Sequence, residues 1–178
     1  MDLTKITGKN LDLVPLEQKI YPLLEKWLSD SDIVKFLDDS EYNLDINELQ
    51  EVYPINNKKN SILFSIVDKK SNSYVGICGF QKIDYVQKNA FLRIIIGNKN
   101  FWDGKTALES EKLLLEFAFN KLKFDFIYSI INPKNIGQIM LVERLGMKKD
   151  GILLNYITKN GESVDAYKYV VFPSDFNH

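Results

Sequence analysis

Hydrophobic and polar positions change period several times along the chain, and each change marks an element. Residues 11–14 (LDLV) alternate as a half-buried strand does, and Pro15 closes them. From Leu16 to Leu28 the apolar residues Leu16, Ile20, Leu23, Leu24 and Trp27 recur at helical spacing. Ser29-Asp30-Ser31-Asp32 breaks that pattern and offers an N-cap to a short helix around Ile33–Leu37, with another over Ile46–Val52. Two short helices in succession suit a lid or a substrate wall.

Strand periodicity takes over at Ser61. Ile62–Val67 and Tyr74–Ile83 flank the polar turn 69–73, and Phe91–Ile96 follows Gln87-Lys88-Asn89, which predicts an antiparallel meander of three strands. Thr106–Leu122 carries the longest helical stripe, through Leu108, Leu115, Ala118, Phe119 and Leu122. The β-branched and aromatic run Phe126–Ile131 then predicts a strand, which Asn132-Pro133 stops because proline has no N–H for a ladder. A second clear helix, Ile136–Leu145, ends at Gly146, a residue free to adopt the left-handed conformation of a helix C-terminus. The last two strands, Ile152–Thr158 and Ser163–Phe172, enclose the hairpin signal Asn160-Gly161. With no repeat and no linker, the order predicts one α+β domain over residues 1–178: a mainly antiparallel sheet with helices on both faces.

Composition narrows the function. At 178 residues, 45% of them hydrophobic and 26% charged, the chain can bury one ordinary core without a staple. Its 23 basic and 24 acidic side chains are well mixed and leave a net charge of −1, so no nucleic-acid partner is expected. Lys58-Lys59 and Lys148-Lys149 are short pairs and do not change that. The lone Cys78 sits in an apolar strand as a core residue does, and the single histidine is His178, so neither a disulfide nor a metal site is expected. No segment reads as a signal peptide or a membrane span, and the expected location is cytoplasmic.

The most informative stretch is 94–107 (IIIGNKNFWDGKTA), an apolar strand that passes through a glycine-containing loop into the long helix. Such a helix start presents unpaired N–H groups and a positive dipole end, which suit a phosphate or pyrophosphate. Strand-loop-helix turns without a ligand are commoner, so this stretch alone leaves both readings open. The second is 132–147 (NPKNIGQIMLVERLGM).

Together the two stretches resemble the GNAT superfamily, in particular its branch of ribosomal-protein-alanine, antibiotic and amino-sugar N-acetyltransferases. Members of that branch carry an Ile-Gly…Tyr-Trp-Gly-Lys-Gly-type loop before the long helix, then Asn-x-x-Asn, a helix and Glu-Lys-x-Gly-Phe. Gly8-Lys9-Asn10-Leu11, Pro15-Leu16 and Trp27-Leu28 match the usual opening, and Lys159-Asn160-Gly161 with Val164-Asp165 match the closing hairpin. The resemblance implies a three-layer GNAT fold whose mixed sheet splays apart between the strands ending at Ile96 and Ile131. It also implies acetyl-CoA as cosubstrate: the pantetheine arm against Ile94, Ile95 and Ile96, the pyrophosphate against the loop Asp103, Gly104, Lys105, Thr106, Ala107 and Leu108, and Asn135 in contact with the cofactor.

The sequence departs from that pattern at several places. Lys105 and Ala107 stand where the loop usually has glycines, and Asp103 adds a negative charge. Phe91 stands where many relatives have a glutamate base, Val142 where some have a tyrosine acid, and Gln138 where others have a serine. The resemblance then leaves catalysis by positioning, in which a neutral amine attacks a thioester polarised by a strand N–H. The alternative bases are Asp84, Tyr85 and Tyr156, expected near the acceptor cleft, each with ordinary surface or packing duty as its other reading. Two functions follow. One is acetyl transfer to a primary amine of a small molecule or a protein N-terminus, by a monomer or homodimer. The other is an acyl-CoA-binding sensor or partner subunit without efficient turnover.

Overall fold

The computed structural model describes residues 3–55 and 60–176, so Lys58-Lys59 and His178 lie outside the described residues. The chain runs through β1 (Ile6–Thr7), β2 (Leu11–Pro15), α1 (Tyr21–Leu28), α2 (Ile46–Val52), β3 (Ile62–Asp68), β4 (Ser73–Asp84) and β5 (Asn89–Ile96). It continues through α3 (Lys105–Phe117), β6 (Phe126–Ile131), α4 (Ile136–Arg144), β7 (Lys148–Lys159) and β8 (Glu162–Val171). The strands form one sheet in the order β1-β2-β3-β4-β5-β6-β8-β7, antiparallel throughout except between β5 and β6.

Alternation along the strands sorts side chains onto two cores. Ile62, Phe64 and Ile66 of β3 face Leu114, Leu115 and Ala118 of the α3 segment and Val142 and Leu145 of the α4 segment. Leu63, between them in sequence, faces the other way, with Ile77 and Ile95, onto Tyr21, Leu24 and Trp27 of α1 and Leu49 of α2. The expected meander of β3, β4 and β5 is present, with bulges at Ile66/Val67 and between Gln81 and Asp84. Helices cover both faces, as the sequence predicts.

Where elements differ from expectation, local chemistry explains it. The first helix begins at Tyr21, after a 3-10 turn over Gln18–Ile20, because Pro22 is tolerated only in a first turn. The helix expected around 33–37 is a run of turns, closed by bonds such as Ile33 N–H to Asp30 C=O at 3.1 Å and Leu37 N–H to Val34 C=O at 3.0 Å. Five residues give too few hydrogen bonds to offset helix nucleation. At Ile46–Val52 the helix does form, behind a full capping box: Asp45 accepts from Asn47 N–H and Glu48 N–H, and Glu48 accepts from Asp45 N–H. The long helix ends in a wide π turn at Ala118–Leu122. β7 starts at Lys148, four residues before the apolar run, because an edge strand tolerates polar side chains on its exposed flank.

Candidate active site

The sheet opens in the middle. β5 and β6 pair only at Asn89↔Phe126, Ala90↔Ile127 and Phe91↔Tyr128, although β5 continues to Ile96 and β6 to Ile131. Beyond Phe91 the β6-facing edge of β5 has no strand partner, while β4 stays paired on the other side as far as Ile96. A cavity of about 970 Å³ occupies this wedge and extends across the sheet to the turns after α1.

One end of the cavity is lined by Ile94, Ile95 and Ile96, by Gly104 and Ala107, and by Asn132, Asn135 and Gln138. Trp102 closes the loop onto the strand, its indole N–H donating to the Ile96 carbonyl at 2.9 Å. Gly104 adopts φ +76° as N-cap of α3, and the first helical bond of that turn runs from Leu108 N–H to Gly104 C=O at 3.1 Å. The N–H groups of Thr106 and Ala107 therefore precede the helix ladder and point out of the helix start. Lys105 N–H is already taken by Asp103 Oδ1 at 2.9 Å. Of the residues expected to hold the cofactor, Ile94, Ile95, Ile96, Gly104, Ala107 and Asn135 line the cavity; Asp103, Lys105, Thr106 and Leu108 do not. Asp103 serves as a turn cap, and Leu108 packs on the core. Asn135 is the N-cap of α4, accepting from Gln138 N–H at 3.2 Å. α4 itself closes with Gly146 N–H to Glu143 C=O and Met147 N–H to Val142 C=O, the paired bonds of a glycine-terminated helix, with Gly146 at φ +91°.

The other end of the cavity is walled by Asp32, Ile33, Phe36, Asp38 and Glu41 before α2, and by Glu51 and Val52 within it. This wall is tied to the last hairpin. Asp38 accepts from Thr158 N–H at 2.7 Å, and Asp39 accepts from Asn160 N–H at 3.0 Å and Gly161 N–H at 2.9 Å. Burial works against the Asp38 carboxylate, but hydrogen bonds from Ser40 and Thr158 outweigh it and hold its pKa below the usual value.

At the floor lies a half-buried ion pair that the sequence did not announce. The Arg93 guanidinium forks onto Glu41, with Nη1 2.9 Å from Oε2 and Nη2 on Oε1, while its Nε donates to Gln81 Oε1 at 3.2 Å. Burial is the largest influence on Arg93 and acts to lower its pKa; the charge of Glu41 leads the influences that reverse it, so the net shift is upward. The visible trace of this pair was the acidic run Asp38-Asp39-Ser40-Glu41; its partner lies 52 residues away. Phe91, 7% exposed, stacks on Tyr128 with ring centres 5.8 Å apart, and the Arg93 and Lys82 cations lie 4.9 and 5.8 Å from its centroid. At that position the cavity thus has an aromatic wall under two cations.

Of the three side chains expected as bases, the structure brings only Tyr156 to the cavity, its hydroxyl accepting from Lys82 Nζ at 3.2 Å. Asp84 and Tyr85 do not line it. The Asp84 carboxylate caps its own turn, accepting from Val86 N–H at 2.9 Å and Gln87 N–H at 2.8 Å, and Tyr85 packs on Phe124 at 6.2 Å. Both expectations are corrected on that ground: a carboxylate spent on a turn outside the cavity does not reach a substrate within it. Cys78 is buried, as expected of a core residue, and burial followed by the nearby Glu111 pushes its thiol pKa up.

The family described as acetyltransferase (GNAT) domain matches residues 10–148. The chain belongs to this family. Among its relatives is p20 of Bacillus licheniformis, an uncharacterized N-acetyltransferase, 24% identical over 172 residues that span 94% of this chain and 96% of p20. The spermidine N(1)-acetyltransferase of Escherichia coli K12 is 21% identical over 171 residues, 96% of this chain and 90% of that one. In fold the chain is similar to a spermidine N-acetyltransferase from Vibrio cholerae solved in complex with CoA and spermine, with a TM-score of 0.83 and 21% identity over 93% of this chain and 97% of that one. As a GNAT acetyltransferase the protein is an enzyme, and N-acetyl transfer from acetyl-CoA is its activity; the reading as a non-catalytic binder is not favoured. No helix among the described residues is long and apolar enough to cross a membrane.

Proposed function

We propose that this enzyme acetylates the primary amine of a small, positively charged molecule, with acetyl-CoA in the wedge between β5 and β6 and the amine entering beneath the 32–41 wall. The observation that carries the reading is the single cavity that runs from the helix start at Gly104 to that wall. Its residues fit the cosubstrate: three isoleucines and parted strand edges for an apolar, amide-bearing arm, and the free N–H groups of the α3 start for phosphate. At the acceptor end the carboxylates of Asp32, Asp38, Glu41 and Glu51 share the lining with the cations of Lys82 and Arg93, and Asp32 is itself paired with Lys99 Nζ at 2.6 Å. Glu41 is spent on Arg93, whereas Glu51 is exposed and has no partner among the described residues. An excess of carboxylate draws a cationic amine. That two relatives are named for spermidine supports the same class.

Acetyl transfer needs the amine neutral and close to the thioester carbon. The floor built by Phe91 and Arg93 orients the acceptor, and Tyr156, held by Lys82, is a hydroxyl within the cavity that can pass a proton to water. The test is release of CoA thiol from acetyl-CoA with a panel holding a polyamine, an amino sugar and a peptide with a free N-terminus. Release with the polyamine or amino sugar is expected; release with the peptide alone would move the acceptor to a protein N-terminus, and release indifferent to amine would overturn the reading. CoA itself should raise the melting temperature, since a ligand at a hundredfold excess over Kd adds about 2.7 kcal/mol to stability.

A further inference from the structure

A fully buried carboxyl lies behind the cofactor end of the cavity, where acetyl transfer itself makes no use of it. Glu111, on the second turn of α3, is 0% exposed; its Oε1 accepts from the side-chain Nε2 of Gln138 at 2.6 Å, and its Oε2 has no partner among the described residues. Burial pushes its pKa up to about 8, against a smaller opposing pull from the Gln138 hydrogen bond. A half-satisfied buried carboxyl costs stability, and an apolar side chain would suit the core there better. Its one polar contact explains its presence.

Gln138 stands in the first turn of α4, with its backbone N–H held by Asn135 Oδ1 at 3.2 Å, and its side chain lines the cavity beside Asn135 and Leu141. A glutamine amide can present either its oxygen or its nitrogen to a ligand, and the choice follows the hydrogen bonds around it. Here Nε2 is spent on Glu111, while Oε1 has no partner among the described residues. We propose that Glu111 is a positioning residue for the cosubstrate: by holding Gln138 Nε2 it turns Gln138 Oε1 into the wedge, where that oxygen accepts an amide N–H of the pantetheine arm. The proposal rests on acetyl-CoA occupying the wedge. It adds a polar grip on the arm beside Asn132 and Asn135, opposite the apolar lining of Ile94, Ile95, Ile96 and Leu141.

The experiment is calorimetric titration of the full chain with CoA and, in parallel, with 3′-phospho-ADP, the nucleotide half of CoA without the arm. Glu111→Leu and Gln138→Leu should each weaken CoA by about fivefold, the value of one ordinary hydrogen bond. The double variant should be no weaker than either single one, because both remove the same contact. Glu111→Gln, whose amide oxygen still accepts from Gln138, should stay within about twofold of wild type, and 3′-phospho-ADP should bind all five proteins alike. A merely structural role for Glu111 would move CoA and 3′-phospho-ADP together and would overturn the proposal. So would wild-type affinity in Glu111→Leu, losses that multiply in the double variant, or a Glu111→Gln as weak as Glu111→Leu. Should Glu111→Leu not fold, Glu111→Met takes its place: it cannot accept from Gln138 Nε2 as a carboxyl does and should show the same loss for CoA, with Glu111→Gln as the rescue. If wild-type protein failed to bind CoA at all, the acetyl-CoA reading would fall, which the other outcomes leave standing.

Discussion

Two side chains show how much a single residue does here. The resemblance puts Asn135 in contact with the cofactor; the structure adds a second duty, because its Oδ1 caps α4. Asn135→Ala should therefore lower stability by about 1 kcal/mol as well as weaken CoA. Asn135→Ser, which can keep the cap but lacks the amide, should hold its melting temperature and lose CoA affinity alone; calorimetry and melting on both variants check this. Glu111 makes the opposite case, a residue that costs stability in the empty fold. Its pKa rises from 4.5 unfolded to about 8 folded, so between those values the folded chain holds a proton that the unfolded chain has released. Stability then falls as pH rises from about 5 to about 8, by at most about 1.4 kcal/mol per pH unit from this one group, and levels off above. In Glu111→Gln that component is absent, so denaturant midpoints of the two proteins should diverge steadily over this window; parallel curves would show that Glu111 ionises when folded much as it does unfolded.

At the scale of elements, the pieces with long, single-period patterns were legible in the sequence and the closures between them were not. β6 lies at Phe126–Ile131, where the sequence put it, because a β-branched run bounded by Pro133 has one outcome. The hairpin at Asn160-Gly161 forms with φ of +54° and +76° at its two central residues, as that dipeptide demands. The 33–37 segment went wrong because its apolar residues answer to tertiary contacts, Val34 and Ile33 packing into the α1–α2 core, and not to a helix of their own. The Arg93–Glu41 pair escaped because no local period links a strand to a turn 52 residues away. Asp84 and Tyr85 were misjudged for the reverse reason: residue type suggested chemistry, and a tight turn claimed the carboxylate first. One junction invites a direct test. A Cβ at Gly97, just past β5, would lie 1.9 Å from Cδ2 of the buried Trp27 ring. Gly97→Ala should cost about 1–3 kcal/mol through overpacking between loop and α1, read as a lowered denaturant midpoint, and a variant as stable as wild type would mean that Trp27 yields its place freely.

For the whole molecule, the absence of a carboxylate at Phe91 has a kinetic signature. With coenzyme saturating and acceptor well below saturation, the rate should follow the neutral fraction of the amine, which rises about tenfold per pH unit below a pKa of about 10.4 for an alkyl amine. Activity should climb from pH 7 to pH 9 with such an acceptor and level off early with one of lower pKa. A plateau at the same pH for both acceptors would reveal a protein base, and its loss in Tyr156→Phe would identify it. The parted sheet has a consequence of another kind. β1 to β5 come from residues 6–96 and β6 to β8 from residues 126–171, so each half-sheet is contiguous in sequence, and within the sheet three rungs join them. Mechanically the wedge is the seam of the molecule. Whatever lodges there leans on both halves at once, as a keystone does, and the integrity of the fold becomes a reporter of its occupancy.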